Sequence, residues 1–197
     1  MDTYAGLKII VADWLMRGDL EHVIPRAVRM AEASINRRLR VRQMIVRAES
    51  EVELQTLPLP TDWLESIRGF TGSDNDFRLS SFPMDEYDAR VLSTGQPISY
   101  SILGRYMFFR MLPEEPTRIE LAYYASVPAL SDDAPTNWLL TLWPDIYLYG
   151  SLMHTAPYLK DDPRLQVWEV MFEKALAEAR LSDSLSYNGT RQQIRAE

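Results

Sequence analysis

Apolar residues recur at helical spacing near both ends of the chain and alternate with polar ones in its middle. Tyr4, Leu7, Ile10, Val11, Trp14 and Leu15 share one helical face, and Gly18 is placed to stop that helix. Asp19 is placed to cap the next turn, and Pro25 stands near the start of a second helix expected to reach about Arg42. Its apolar stripe is Val23, Ala27, Ala31, Ile35 and Leu39, with Arg26, Arg29, Arg37 and Arg40 nearly opposite. From residue 50 the period drops to two. Residues 51–57 alternate as a half-buried strand does, and the prolines of 58–60 end it because proline cannot donate to a ladder. Residues 63–70 read as a second strand, broken by Gly69 and Gly72. Residues 73–76 read as a turn, 77–82 as a short strand and 83–90 as a brief helix. Residues 98–103 and 106–111 make a hairpin closed by Gly104-Arg105, with glycine first in the two-residue turn. Residues 118–123 alternate again, and 127–133 form an exit loop.

The longest dense apolar run is 136–159, around which the other elements must fit. Pro144 opens its main helix, since proline is tolerated in the first turn. Ile146, Tyr149, Leu152, Met153, Ala156 and Leu159 fall on one arc, and Tyr147, Ser151, His154 and Tyr158 on the opposite, semi-polar one. Such a helix has neighbours on both sides, the second from the same chain or from another subunit. Asp162 caps the last helix and Pro163 takes its first position. Leu165, Trp168, Phe172, Ala175, Leu176 and Ala179 form its stripe to about residue 181. Residues 184–197 have no sustained period and read as a flexible tail. The pattern predicts an α+β fold: a helical bundle from 1–49 and 127–183, carrying a small antiparallel β-sheet subdomain inserted at 50–126.

Composition narrows the function. With 197 residues, 46% of them hydrophobic, one domain with a real core is the expectation. No apolar run reaches the roughly 20 residues that cross a bilayer, and no signal pattern opens the chain, so synthesis in the cytoplasm and no membrane partner are expected. The absence of cysteine excludes disulfides, thiolate metal sites and cysteine nucleophiles. The two histidines, His22 and His154, lie too far apart in sequence for a multi-histidine metal site. Residues 26–47 hold seven arginines against one acid, a net +6 in a chain of net −7, which leaves −13 on the remainder. Residues 131–183 carry nine acids and four bases. A basic strip on an acidic body meets either nucleic acid or the acidic face of another protein, including a second copy.

Catalytic signatures are missing. There is no glycine-rich phosphate cradle and no Gly-x-Ser-x-Gly elbow. Asp132-Asp133 and Asp161-Asp162 have the composition of an acid–base or cation pair, but each lies by a proline in a predicted loop, where aspartate caps and turns the chain. His154 reads as a packed or interfacial histidine. The arginine helix, 22–42, is the one nucleic-acid candidate. Only Asn36 and Gln43 accompany it as base-reading side chains, and a pI near 5.0 is unfavourable for phosphate binding.

Several blocks in order carry a resemblance. They are Ile24-Pro25 leading to Ala31-Glu32 and Ile35-Asn36-Arg37-Arg38-Leu39-Arg40, then Leu59-Pro60-Thr61-Asp62-Trp63-Leu64, the stretch 95–100, and Leu121-Ala122-Tyr123-Tyr124 with 127–130. Thr136-Asn137-Trp138 and 144–150 complete the set. Together they resemble the head-to-tail adaptor proteins of tailed bacteriophages, particularly short-tailed ones. The resemblance implies a structural virion protein without enzymatic residues or cofactors. It implies assembly as a ring beneath the portal protein, typically of twelve subunits, joining the head to a tail or nozzle protein, with double-stranded DNA passing through. Subunit or portal contacts are expected at Arg26, Arg29, Arg37, Arg40, Tyr147, Ser151, His154 and Tyr158. Nucleic-acid binding by the arginine helix is the alternative.

Overall fold

The computed structural model describes residues 1–72, 77–82, 94–95, 97–111, 113–159 and 162–193, with side chains as far as Leu185. The expected turn at 73–76 and brief helix at 83–90 lie outside the described residues. The chain is α+β and divides into two compact units, Met1–Gln43 with Val127–Glu197, and Met44–Ser126.

In the helical unit, α1 (Tyr4–Leu15) starts where the Thr3 hydroxyl accepts from the Gly6 N–H at 3.1 Å. It stops before Gly18: Met16 takes a left-handed conformation (φ 54°) and returns its N–H to the Ala12 and Asp13 carbonyls. Asp19 does not cap the short 3-10 helix that follows, Gly18–Val23, but is held by a two-pronged contact from the Arg17 guanidinium at 2.7 and 2.6 Å. The next helix, α2 (Ile24–Arg38), buries Ala27, Ala31 and Ile35 as the stripe predicts. It ends four residues early. Leu39 is extended, and the Arg40 guanidinium donates to the Asn36 and Leu39 carbonyls at 2.8 and 2.6 Å, satisfying the helix end. Nothing in the local sequence breaks the helix here. Its end is set by tertiary contacts: Asn36 Oδ1 accepts from the Val127 N–H at 2.9 Å, and Arg42 is tied to Asp183 at 2.7 Å.

The long apolar run is not one helix. It forms α3 (Trp138–Leu142), α4 (Pro144–Met153) and a final 3-10 turn, Ala156–Tyr158. Asn137 Oδ1 caps α3 by accepting from the Leu140 N–H at 2.8 Å. The break at Trp143 follows from Pro144, whose ring drives the preceding residue out of the α region. Both arcs of α4 carry buried residues, Ile146 and Leu152 on one and Tyr147 and Ser151 on the other, because it packs against α2 and the last helix and also meets α1. The second neighbour foreseen for this helix therefore belongs to its own chain.

The last helix, α5 (Arg164–Gln193), opens where Asp162 Oδ1 accepts from the Arg164 N–H at 2.9 Å. It buries Trp168, Phe172, Ala175, Leu176 and Ala179. It then continues to Gln193, where the sequence pattern reads as a tail. Backbone hydrogen bonds suffice to propagate a helix through a proline-free stretch, and an apolar period reports only a packed face.

The other unit holds two four-stranded sheets instead of one. The first has the order β1 (Ile45–Val52), β8 (Thr117–Ala125), β3 (Trp63–Thr71), β4 (Phe77–Arg78). The second has the order β2 (Thr56–Pro58), β7 (Tyr106–Phe109), β6 (Ser99–Leu103), β5 (Ser80–Ser81), and its β5–β6 pair is parallel. The stretch read as one strand at 51–57 is split between them, and so is 77–82. The alternation of 51–57 is a by-product of joining two strand ends. The β6–β7 hairpin matches its prediction, with Gly104 at φ 61° in the turn. Val52, Leu79, Tyr100, Phe109, Ile119 and Leu121 from both sheets meet in one hydrophobic cluster.

Candidate interaction surface

The eight residues singled out for contact separate into four groups. Arg26, Arg29 and Arg37 project from the exposed face of α2. Among the described residues none of them pairs with a carboxylate. Arg40 closes the end of that helix. Tyr147 and Ser151 have no exposed surface, both being 0% accessible, so they support the interior of the unit and are not placed for direct contact with another protein. The Tyr147 hydroxyl serves a buried network, whereas the Ser151 hydroxyl is buried without a hydrogen-bond partner among the described residues.

That network was invisible to residue spacing. Glu32 is buried, and its Oε1 accepts from the Leu130 N–H at 2.7 Å and the Tyr147 hydroxyl at 3.3 Å. Asn137 Nδ2 donates to the Tyr147 oxygen at 2.7 Å and to the Pro128 carbonyl at 2.6 Å. Burial pushes the Glu32 carboxyl above the usual range, partly offset by the Leu130 and Tyr147 donors. Burial and the Glu32 charge likewise raise the Tyr147 hydroxyl. Glu32, Asn36 and Asn137 thus clamp the returning segment 127–140 onto α2. All three stand in the blocks that carry the resemblance, which is the one sequence signal that marked them.

The remaining arginines explain part of the charge asymmetry within the chain itself. Arg38 pairs with Glu173 and lies 5.4 Å over the Phe172 ring, while Arg42 pairs with Asp183 at 2.7 Å. Arg47 pairs with Glu120 at 3.6 Å in the sheet unit. The basic segment is therefore partly neutralised by acids of α5 and of the sheet unit, while Arg26, Arg29 and Arg37 stay exposed.

Arg26, His154 and Tyr158 are brought together. They line an open groove of about 440 Å³ with Ala27, Met30 and Met153, between the exposed edge of α2 and the end of α4. Burial lowers the His154 pKa, and the Arg37 and Arg38 charges add to the effect. The neutral imidazole is the native form, so this group stabilises the fold above the ordinary histidine pKa of about 6.5, and that stability is lost as pH falls through the depressed value. Urea midpoints should thus drop between pH 7 and pH 5 more in the native chain than in His154→Gln.

One member of each aspartate pair is held in an ion pair. Asp132 pairs with Lys8 at 2.9 Å, and Asp162 grips Arg164 at 2.6 Å. Asp161 lies outside the described residues. Among the described residues no group of three or more His, Asp or Glu is placed to hold a metal ion, and no helix is long and apolar enough to cross a membrane. The larger openings are shallow clefts. One of them, about 490 Å³, is rimmed by Glu51, Glu114, Glu115 and Arg118.

No curated protein matches the chain. A family model described as SU10 adaptor protein matches residues 2–195, nearly its whole length. The chain belongs to the SU10 adaptor family, consistent with the phage head-to-tail adaptors that its sequence resembles.

Proposed function

We propose that this adaptor works as a structural component of the virion's head–tail junction. It assembles as a ring of about twelve copies below the portal, contacts a tail or nozzle protein on its other side, and lets double-stranded DNA pass. The observation that carries this reading is the row of Arg26, Arg29 and Arg37 on one face of α2, all exposed and none in an ion pair within 4 Å among the described residues, with Arg29 also acting at longer range on the Glu32 carboxyl. Their charge remains available for an acidic surface on the portal or on a neighbouring subunit. A closed ring requires heterologous contacts, in which two different faces of one subunit match. A rim of arginines beside the Met30–Tyr158 groove is one such face.

Arg26→Glu/Arg37→Glu should reduce assembly on portal rings about tenfold or more, with the denaturant midpoint changed by far less than the Glu32 network is worth, because exposed substitutions stay within about 0.5 kcal/mol each. Sizing and particle reconstitution with portal protein read the first quantity, and urea unfolding reads the second. Assembly equal to that of the native chain would reject the assignment. A salt-sensitive gel shift of the isolated chain on duplex DNA, abolished by the same reversal, would instead favour the arginine helix as a nucleic-acid surface.

A further inference from the structure

The final helix carries two apolar faces, and the fold uses only one. Trp168, Phe172, Ala175, Leu176 and Ala179 are buried within the unit. On the opposite side, Val167 (53%), Val170 (63%), Leu181 (58%) and Leu185 (62%) are largely exposed, with Met171 beside them. At about 100° per residue these five fall within an arc of about 100°. They are not scattered surface residues but one stripe running along about 27 Å of helix. Its middle is charged: Lys174 and Glu178 form an exposed pair at 3.8 Å, one turn apart.

The order of residues along this stripe reads the same way from either end. Val167 and Leu185 stand nine residues on either side of Leu176, Met171 and Leu181 five, and Lys174 and Glu178 two. If a second copy of α5 is laid antiparallel across the stripe, four of its five apolar residues and both charges meet counterparts, and Val170 meets Ser182 at the edge. Val167 faces Leu185, Met171 faces Leu181, and Lys174 of each copy faces Glu178 of the other. A parallel arrangement sets Lys174 against Lys174 and Glu178 against Glu178. Opposite charges across the seam thus select one orientation, as the flanking charges of coiled coils do.

We propose that the exposed face of α5 is a self-complementary surface, and that two copies of the free chain pair through it, antiparallel and two-fold, with two Lys174–Glu178 ion pairs at the centre. This contact is isologous and closes at two copies, whereas a ring contact is heterologous. Pairing through α5 therefore leaves the arginine face of α2 unoccupied. It gives the free adaptor a way to cover its apolar stripe before a larger assembly takes it up.

Sedimentation equilibrium of the full chain, from micromolar to sub-millimolar concentration, tests it. The native chain should show a monomer–dimer equilibrium. Lys174→Glu places acids against acids and should weaken it about tenfold. Lys174→Glu/Glu178→Lys restores complementarity and should return it to within about threefold of native. Because the chain lacks cysteine, Val167→Cys and Leu185→Cys can also be mixed under mild oxidation. A disulfide-linked dimer should form in the mixture and not with Leu185→Cys alone. A monomer at every concentration, a dimer indifferent to Lys174→Glu, or a self-linked Leu185→Cys dimer each overturns the pairing. None of these results touches the ring reading, which is measured on portal with substitutions on α2.

Discussion

Glu32→Ala is expected to destabilise the helical unit by about 3 kcal/mol, a large part of the roughly 5–15 kcal/mol that holds a domain together. The carboxylate is the acceptor for two buried donors, the Leu130 N–H and the Tyr147 hydroxyl. Truncation leaves both without that acceptor, at about 1–3 kcal/mol for each unsatisfied buried group. It also loosens Tyr147, which Asn137 holds from the other side. The loss is reduced by the desolvation no longer imposed on a buried charge. Glu32→Gln keeps an acceptor oxygen and should lie within about 1 kcal/mol of native. The pH response separates the two effects. The folded-state pKa of Glu32 is raised, so its contribution is fully present below the ordinary carboxylate value and declines as pH climbs through the raised one. The stability difference between native chain and Glu32→Gln should therefore move against the native chain as pH goes from 4 to 7. Urea titrations of both proteins at several pH values measure it. A difference that does not change with pH would remove the buried carboxylate from the account.

Glu32 also shows what could be read from the sequence. Helical periodicity found α1, α2 and the buried stripe of α5, because each needs only one apolar face turned inward. The Gly104 turn and the Asp162 cap followed from local backbone chemistry. Elements fixed by distant partners were misjudged. The end of α2 depends on Asn36 reaching Val127 and Arg42 reaching Asp183, contacts spanning 91 and 141 residues. The division of 77–82 between two sheets depends on β3 and β6, which no local pattern announces. The sequence leaves open whether the neighbour of the Tyr147–Ser151 arc is the same chain or another subunit, and both residues are buried within the chain. In a helix packed on several neighbours, polar atoms report a buried network as readily as a contact face. The arginine stripe was legible as a stripe. That Arg38 and Arg42 beside it are paired was not, since Glu173 and Asp183 lie more than a hundred residues away.

Gly150→Leu should abolish stable folding of the helical unit, and Gly150→Ala should cost about 1–2 kcal/mol despite placing a better helix former in α4. Alanine favours a helix over glycine by about 1 kcal/mol. At an open helical position that gain would be realised. Here an added Cβ stands 2.9 Å from the Phe172 ring and 3.1 Å from Ala31 Cβ, so it meets α5 on one side and α2 on the other. Neither neighbour yields easily. Phe172 is fully buried with Arg38 stacked over its ring, and Ala31 is itself 0% exposed in the middle of α2. Overpacking a site enclosed on both sides costs about 1–3 kcal/mol for a small group and more for a branched one. A double-mutant cycle isolates the cause. Phe172→Leu alone removes ring volume and should destabilise, but combined with Gly150→Ala the total should fall short of the sum by about 1 kcal/mol, because the added methyl fills space the ring has left. Thermal and urea unfolding of the four proteins supply the cycle. Strict additivity, or a Gly150→Ala variant more stable than native, would show that α4 does not approach its neighbours as closely as this packing requires.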